Sequence, residues 1–303
     1  MNKLIRIGTR DSQLALWQAN TVKGNLEALG YETKLVAVKS AGDLVLDKPL
    51  YELGITGIFT KTLDVAMLNG SIDIAVHSMK DVPTLLPKGI VQTAVLERAS
   101  SLDILVTNGT PNFQEDCTIA SGSSRRRAQW LHRYPHHKVV GLRGNVNTRL
   151  RKLEDSDWQG AIFAKAGLER IKVLPENHID LNWMIPAPAQ GAMVVLALEK
   201  DDHCIEVTSK LNVTNAQIST HIEREFLNVL EGGCTAPIGA LAEIMGTEIH
   251  FKGTLSTLDG TKKIDADKTI SIENYRDLGR NCAEKLLIEG GNEIMESIKK
   301  EIT

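Results

Sequence analysis

The sequence predicts an α/β protein with two doubly wound sheets in succession and a small α+β domain after them. Three observations carry this. Short apolar runs of strand length alternate with segments of helical periodicity over the first hundred or so residues. The alternation restarts near Asp103 and runs to Ala164. Beyond residue 214 the pattern becomes a long helix, a hairpin and two further helical stretches. A chain of 303 residues has room for two or three such domains.

In the first unit, residues 4–9 form a strand, and Ser12 caps a helix whose apolar positions include Leu16, Ala19, Val22, Leu26 and Leu29. Residues 33–38 are the next strand. Residues 40–58 carry Gly42, Gly54 and Gly57 with little periodicity, and a loop of that length in a compact domain is expected to be functional or mobile. A helix over residues 59–68 leads to a strand at 72–76, and the βαβαβ order implies a parallel sheet with right-handed crossovers. In the second unit, residues 104–107, 118–120, 139–142 and 161–164 are strands, with a helix beginning near Ser124. Ile185-Pro186-Ala187-Pro188-Ala189 is a stiff connector suited to a hinge, and the apolar run at 192–198 can return to the first sheet. A helix over 215–230 and a hairpin turning at Asp259-Gly260 open the last domain. The expected boundaries are 1–98 with 191–210, 99–190, and 214–303.

Composition narrows the function. Hydrophobic content of 42% with 24% charged residues is that of a soluble globular chain, and no apolar run is long enough to span a bilayer. The N-terminus has no secretory pattern. Cys117, Cys204, Cys234 and Cys282 are scattered with no CxxC pair, which argues against a zinc ribbon and a disulfide framework and for a reducing cytoplasm. No metal is expected. The net charge of −3 conceals an asymmetry: residues 121–152 hold nine Lys or Arg and no Asp or Glu, a field that attracts polyanions.

Three segments carry chemistry. Ile72-Asp73-Ile74-Ala75-Val76-His77-Ser78-Met79-Lys80-Asp81-Val82-Pro83 turns from an apolar strand to polar residues at a strand's carboxyl end, where open α/β sheets bind ligands. Read blandly, Lys80 and Asp81 are an ordinary surface ion pair. Ser121-Gly122-Ser123-Ser124-Arg125-Arg126-Arg127 joins a strand to a helix, so hydroxyls, free N–H groups and guanidiniums converge as an anion site. Leu142-Arg143-Gly144-Asn145-Val146-Asn147-Thr148-Arg149 repeats that junction, Arg170 ends a later short helix, and Thr9-Arg10-Asp11-Ser12 is its counterpart in the first unit. Three consecutive arginines cannot all face one way on a helix, so one of them is ordinary surface. The alternatives are a solvated basic face or a nucleic-acid patch, for which only Trp130 and Tyr134 offer stacking; a small, multiply charged carboxylate or phosphate ligand is favoured. In Leu230-Glu231-Gly232-Gly233-Cys234-Thr235-Ala236 the glycines strip bulk from around a thiol, which makes Cys234 a candidate nucleophile. A cysteine protease would pair it with a general-base His, His77 among the candidates.

Together with Ile7-Gly8-Thr9-Arg10-Asp11-Ser12, Ala166-Gly167-Leu168 and Pro188-Ala189-Gln190-Gly191-Ala192, these motifs stand in the order of the porphobilinogen deaminase (hydroxymethylbilane synthase) family, which the chain resembles over nearly its whole length. The resemblance implies two hinged domains of the periplasmic-binding-protein type and a third domain bearing the cysteine. It implies a transferase that joins porphobilinogen head to tail with loss of ammonia, releases hydroxymethylbilane, and carries a dipyrromethane cofactor on a thioether. Cys234 matches the attachment residue and Asp81 the catalytic carboxylate. Ser78, Lys80, Ser123, Ser124, Arg126, Arg127, Arg143 and Gln190 match cofactor positions, and Arg10, Ser12, Arg149 and Arg170 match substrate positions. The resemblance also implies a cytoplasmic monomer, with no nucleic acid or membrane as partner, whose product passes to uroporphyrinogen-III synthase. Thr56, Gly122, Arg125, Lys165 and Thr235 depart from the family pattern. The rival readings are a non-catalytic two-domain anion-binding protein and a basic nucleic-acid-binding module.

Overall fold

A computed structural model describes residues 3–38, 60–230 and 236–302. The chain divides into two compact units: residues up to 99 together with 191–217 make most of one, and residues 100–190 with 218 onward make most of the other.

The first unit opens with β1 (Ile5–Thr9), α1 (Gln13–Ala28), β2 (Thr33–Ala37), α2 (Lys61–Leu68), β3 (Ile74–Ser78) and β4 (Ile90–Val95). Helix α1 starts where its sequence says it should: the Ser12 side chain accepts the Ala15 N–H at 3.3 Å, satisfying one of the unpaired first-turn donors. Its buried stripe, Ala19, Val22 and Leu26, packs on Ile5, Ile7, Ile74 and Val76 of the sheet. Each large aliphatic so buried is worth about 1.5–3 kcal/mol, and this stripe fixes which face of α1 is covered.

The second unit has β5 (Asp103–Thr107), β6 (Thr118–Ala120), α3 (Ser124–Arg133), β7 (Lys138–Val140), α4 (Val146–Glu154), β8 (Gly160–Ala164), α5 (Lys165–Arg170) and β9 (His178–Asp180). Its sheet runs β7-β6-β8-β5-β9, with β6 parallel to β7 and β8, and β5 antiparallel to β8 and β9. Both faces are covered: Ile104, Val106, Ala161 and Phe163 lie in one core cluster, Leu105, Ile119, Ile162 and Trp130 in another.

The chain then returns to the first unit as β10 (Met193–Leu198) and α6 (Asp202–Ser209). The resulting sheet is β2-β1-β3-β10-β4. The return at 192–198 is as expected, and the three strands of the βαβαβ order are parallel as expected. Only β2, β1 and β3 are parallel, and β10 runs antiparallel to both β3 and β4. A strand arriving from another unit is not tied to a crossover helix, so nothing forces it parallel. Pairing with β10 also carries β3 on to Ser78, two residues past the predicted end, because Met193 and Val194 satisfy its backbone opposite Ser78 and His77.

The remainder is α7 (Thr214–Val229), β11 (Ile238–Met245), β12 (Glu248–Ser256), β13 (Lys263–Ser271), α8 (Leu278–Leu286) and α9 (Asn292–Ile302). The three strands form an antiparallel sheet over a core of Phe226, Phe251, Leu255, Leu286 and Ile298. The expected turn at Asp259-Gly260 is present; Gly260 has φ +76° and seats against α3, where an added Cβ would lie 2.2 Å from the Ala128 carbonyl oxygen. Strands β4, β9 and β11 and helix α6 have no counterpart in the sequence reading.

Candidate functional site

In the first unit the polar residues gather at the carboxyl ends of β1 and β3, which are parallel. After Ser78 the chain makes a single 3₁₀ turn, Met79–Asp81. The turn is pinned on both sides: Met79 and Val82 are buried, the Met79 N–H donates to the Ala192 carbonyl at 3.0 Å, and the Val82 N–H donates to the Met79 carbonyl at 3.1 Å. Lys80 and Asp81 are thereby held half-buried on a short rigid element. Arg10 and Ser12, both half-buried, follow β1. The sequence reading gave Gln18 no role. It lies on the buried face of α1, and its amide donates to the Ser78 hydroxyl at 2.7 Å, which fixes that side chain. Its position one turn before the buried Val22 was the available signal. His77 is 5% exposed, and its Nε2 has no hydrogen-bond partner among the described residues. Burial, with the charge of Arg10 in addition, pulls its pKa down to about 4, so the ring is neutral at neutral pH.

In the second unit, β6, β7 and β8 all point their carboxyl ends to one edge, and the anion-type turns follow there. Ser123 caps α3, accepting the Arg126 N–H at 3.5 Å; Asn145 caps α4, accepting the Thr148 N–H at 2.9 Å. The two turns touch. A Cβ on Gly122 would stand 2.3 Å from the Leu142 carbonyl oxygen, so this backbone approach excludes any side chain at 122. Gly122, one of the departures from the pattern of the family the chain resembles, is therefore built into the packing of the two turns.

The three arginines separate as their helical spacing demands. Arg127 is the exposed one, donating to the Val139 carbonyl at 3.0 Å. Arg125 and Arg126 turn inward onto Asp103, which is wholly buried. Arg126 gives Nε and Nη2 to Asp103 at 3.0 and 2.8 Å and Nη1 to the Ile162 carbonyl at 2.9 Å. Arg125 lies 2.7 Å from the other carboxylate oxygen and also reaches the Ile185 carbonyl. Gln190 is 1% exposed and donates to Asp103 at 2.9 Å and to the Ser101 carbonyl at 2.8 Å. Burial alone would raise the Asp103 pKa, but the two guanidiniums outweigh it and hold the carboxyl at about 2. Sequence reasoning missed Asp103, since a strand-initial Asp gives no sign of what will converge on it. The burial of Arg125 and Arg126 also removes much of the solvated basic face that a nucleic-acid patch would need.

Arg143 and Arg170 are half-buried, and burial lowers both pKa values, that of Arg170 to about 10. Arg149 donates Nε to the Gly144 carbonyl at 2.7 Å. Ser124 stands half-buried as the first residue of α3. Cys117, Cys204 and Cys282 are buried free thiols, and burial pushes Cys204 up to about 12. Cys234 and Thr235, like residues 40–58 with Thr56, lie outside the described residues. Among the described residues no cluster of His, Cys, Asp or Glu could hold a metal, and no helix is long and apolar enough to cross a membrane.

Two family models match the chain: porphobilinogen deaminase, dipyromethane cofactor binding domain, over residues 5–206, and porphobilinogen deaminase, C-terminal domain, over 218–288. The chain is 40% identical to a porphobilinogen deaminase from a Nitratiruptor species over 300 residues, covering 96% of each. It is 39% identical to that of Campylobacter hominis over 308 residues, covering 98% of each, and 37% identical to a chloroplastic porphobilinogen deaminase of Oryza sativa subsp. japonica, covering 98% of this chain and 87% of the other. A solved periplasmic substrate-binding protein of an ABC transporter from Coxiella burnetii is similar at 15% identity and a TM-score of 0.42, over 73% of this chain and 96% of that one.

Proposed function

Because the chain belongs to the porphobilinogen deaminase family, we propose that Asp81 and Cys234 are the residues through which it performs that family's reaction. The activity is that of a transferase of porphyrin and heme biosynthesis, joining porphobilinogen units head to tail with loss of ammonia to give hydroxymethylbilane. The observation that carries the Asp81 assignment is the pinned Met79–Asp81 turn, which presents a carboxylate and an ammonium from the carboxyl end of a buried strand.

The family's cofactor is a dipyrromethane. The donor set of this chain suits such a group: hydroxyls at a helix cap, guanidiniums whose pKa values burial has lowered, and a glycine letting two anion-type turns close on each other. Lys80, Ser123, Ser124, Arg127 and Arg143 would hold its acetate and propionate groups, and Cys234 would anchor it. When bound, the group supplies the nucleophilic pyrrole carbon to which the first substrate is joined. Arg126 and Gln190 act from beneath, tying the Ser123–Ser124 turn to Asp103, and Ser78 is held in place by Gln18.

Asp81 does the chemistry on substrate. Its carboxylate accepts the pyrrole N–H and stabilises positive charge as ammonia departs. It delivers its proton to the leaving amine from the protonated state, and the carboxylate so formed takes one back from the ring carbon after coupling. Arg10, Ser12, Arg149 and Arg170 orient the substrate's two carboxylates. The working domains are 1–98 with 191–210, 99–190, and 214–303. The protein acts as a cytoplasmic monomer that passes its product to uroporphyrinogen-III synthase.

Intact-protein mass spectrometry tests the assignment. Purified material carries two pyrrole units in excess of its amino-acid mass, Cys234→Ser carries none, and Asp81→Asn keeps the adduct while losing nearly all turnover. An adduct surviving in Cys234→Ser, or wild-type rates in Asp81→Asn, refutes the residue in question.

A further inference from the structure

Resting on the reading above, the geometry points to Lys165 as an additional carboxylate-binding residue of this chain, stored against Asp180 and handed to an acetate or propionate of the lengthening pyrrole chain. Strands β6, β7 and β8 are parallel, and β9, antiparallel to β5 as β8 is, runs the same way. The carboxyl ends of all four therefore share the edge that bears Ser123 and Arg143. Lys165 follows the last residue of β8, and Asp180 ends β9. In register, Ala164 pairs with Asp103 and Asp180 with Ile104, so the Lys165 side chain reaches across the start of β5 to Asp180. Its Nζ lies 2.9 and 3.0 Å from the two Asp180 oxygens.

The pair is made to be exchanged rather than locked. The Asp180 side chain is 35% exposed and that of Lys165 19%, so water screens their attraction and the net gain of the pair is small. An ammonium on four flexible carbons swings between partners at little cost, unlike the guanidinium of Arg126, whose nitrogens are committed to Asp103 and Ile162. His178 Nε2 stands 3.9 Å from the Asp180 carboxylate and remains its neighbour when Lys165 leaves. Each added substrate brings two more carboxylates, so an exchangeable cation at this edge gains a partner of higher charge density as the chain grows.

Lys165→Met, Lys165→Arg, Asp180→Asn and the double variant Lys165→Met/Asp180→Asn are compared in the cofactor-loaded protein, with KM for porphobilinogen, kcat and the mass distribution of enzyme-bound chains as readouts. Lys165→Met is expected to raise KM roughly threefold or more with kcat little changed, and to accumulate enzyme carrying incomplete chains. Lys165→Arg restores both. Asp180→Asn frees the ammonium and lowers KM, a gain that disappears in the double variant. Equal losses in Lys165→Met and Asp180→Asn would mark a purely structural ion pair, and wild-type KM and chain distribution in Lys165→Met would show that no ligand carboxylate is taken; either overturns the inference. In both of those cases the two-pyrrole adduct and turnover persist, whereas failure of the underlying assignment shows as their absence from the unsubstituted protein.

Discussion

Acid should destabilise the first unit through one ring. His77 is buried in β3 opposite Val194, and burial aided by Arg10 takes its pKa from 6.5 to about 4. As pH falls, the unfolded chain takes up this proton near 6.5, while the folded chain resists until about 4. Between those values the unfolded state binds more protons, so stability declines on acidification through the window and returns as pH rises. At 1.36 kcal/mol per pH unit, the gap between 6.5 and about 4 corresponds to about 3 kcal/mol, a large share of a domain's net stability. The assay is urea unfolding at several pH values from neutral to about 4, on the natural chain and on His77→Leu, which fills the site without a titrating ring. The natural chain should lose about 3 kcal/mol more than the variant over that interval. Parallel pH profiles for the two proteins would refute the reasoning, as would a His77 ring signal titrating near its ordinary value by NMR.

Two further outcomes follow from the second unit. Gly122→Ala must push the Ser121–Ser124 turn away from Leu142, whose carbonyl oxygen lies 2.3 Å from the new Cβ; the overpacking should cost about 1–3 kcal/mol in urea melts and raise KM, and a variant with wild-type stability would show that the turns do not need to touch. Asp103→Asn leaves two buried guanidiniums without their counter-charge and should cost about 3–5 kcal/mol, seen as a lowered melting temperature; in the natural chain the depressed Asp103 pKa makes its stabilisation complete above about 3.8 and lost as pH falls towards 2, a profile the variant should lack.

Local signals were legible where a residue acts on its own neighbours in the chain. The Ser12 and Asn145 caps, the strand at 118–120, the Asp259-Gly260 turn and the exposure of one arginine in three all follow from spacing and side-chain chemistry within a few residues. Strand β9, His178–Asp180, has one apolar residue between two polar ones and so no apolar run to be seen, and the length of β3 depended on a partner more than a hundred residues away. The site divided in the same way. The turn holding Lys80 and Asp81 could be placed from the strand that leads into it, but Gln18 acquires meaning only when α1 folds over Ser78.

The sequence by itself determined the alternating α/β order, the places where strands hand over to polar turns, and the concentration of cations in residues 121–152, because propensity, capping and periodicity are local properties of a chain. Tertiary structure alone decided that β10 runs antiparallel, that Arg125, Arg126 and Gln190 converge on Asp103, and that Lys165 meets Asp180 across β5. Those outcomes arise from a few ångströms of separation between groups far apart in the chain. Burial and opposite charge there decide which cations become internal braces and which stay available to a ligand.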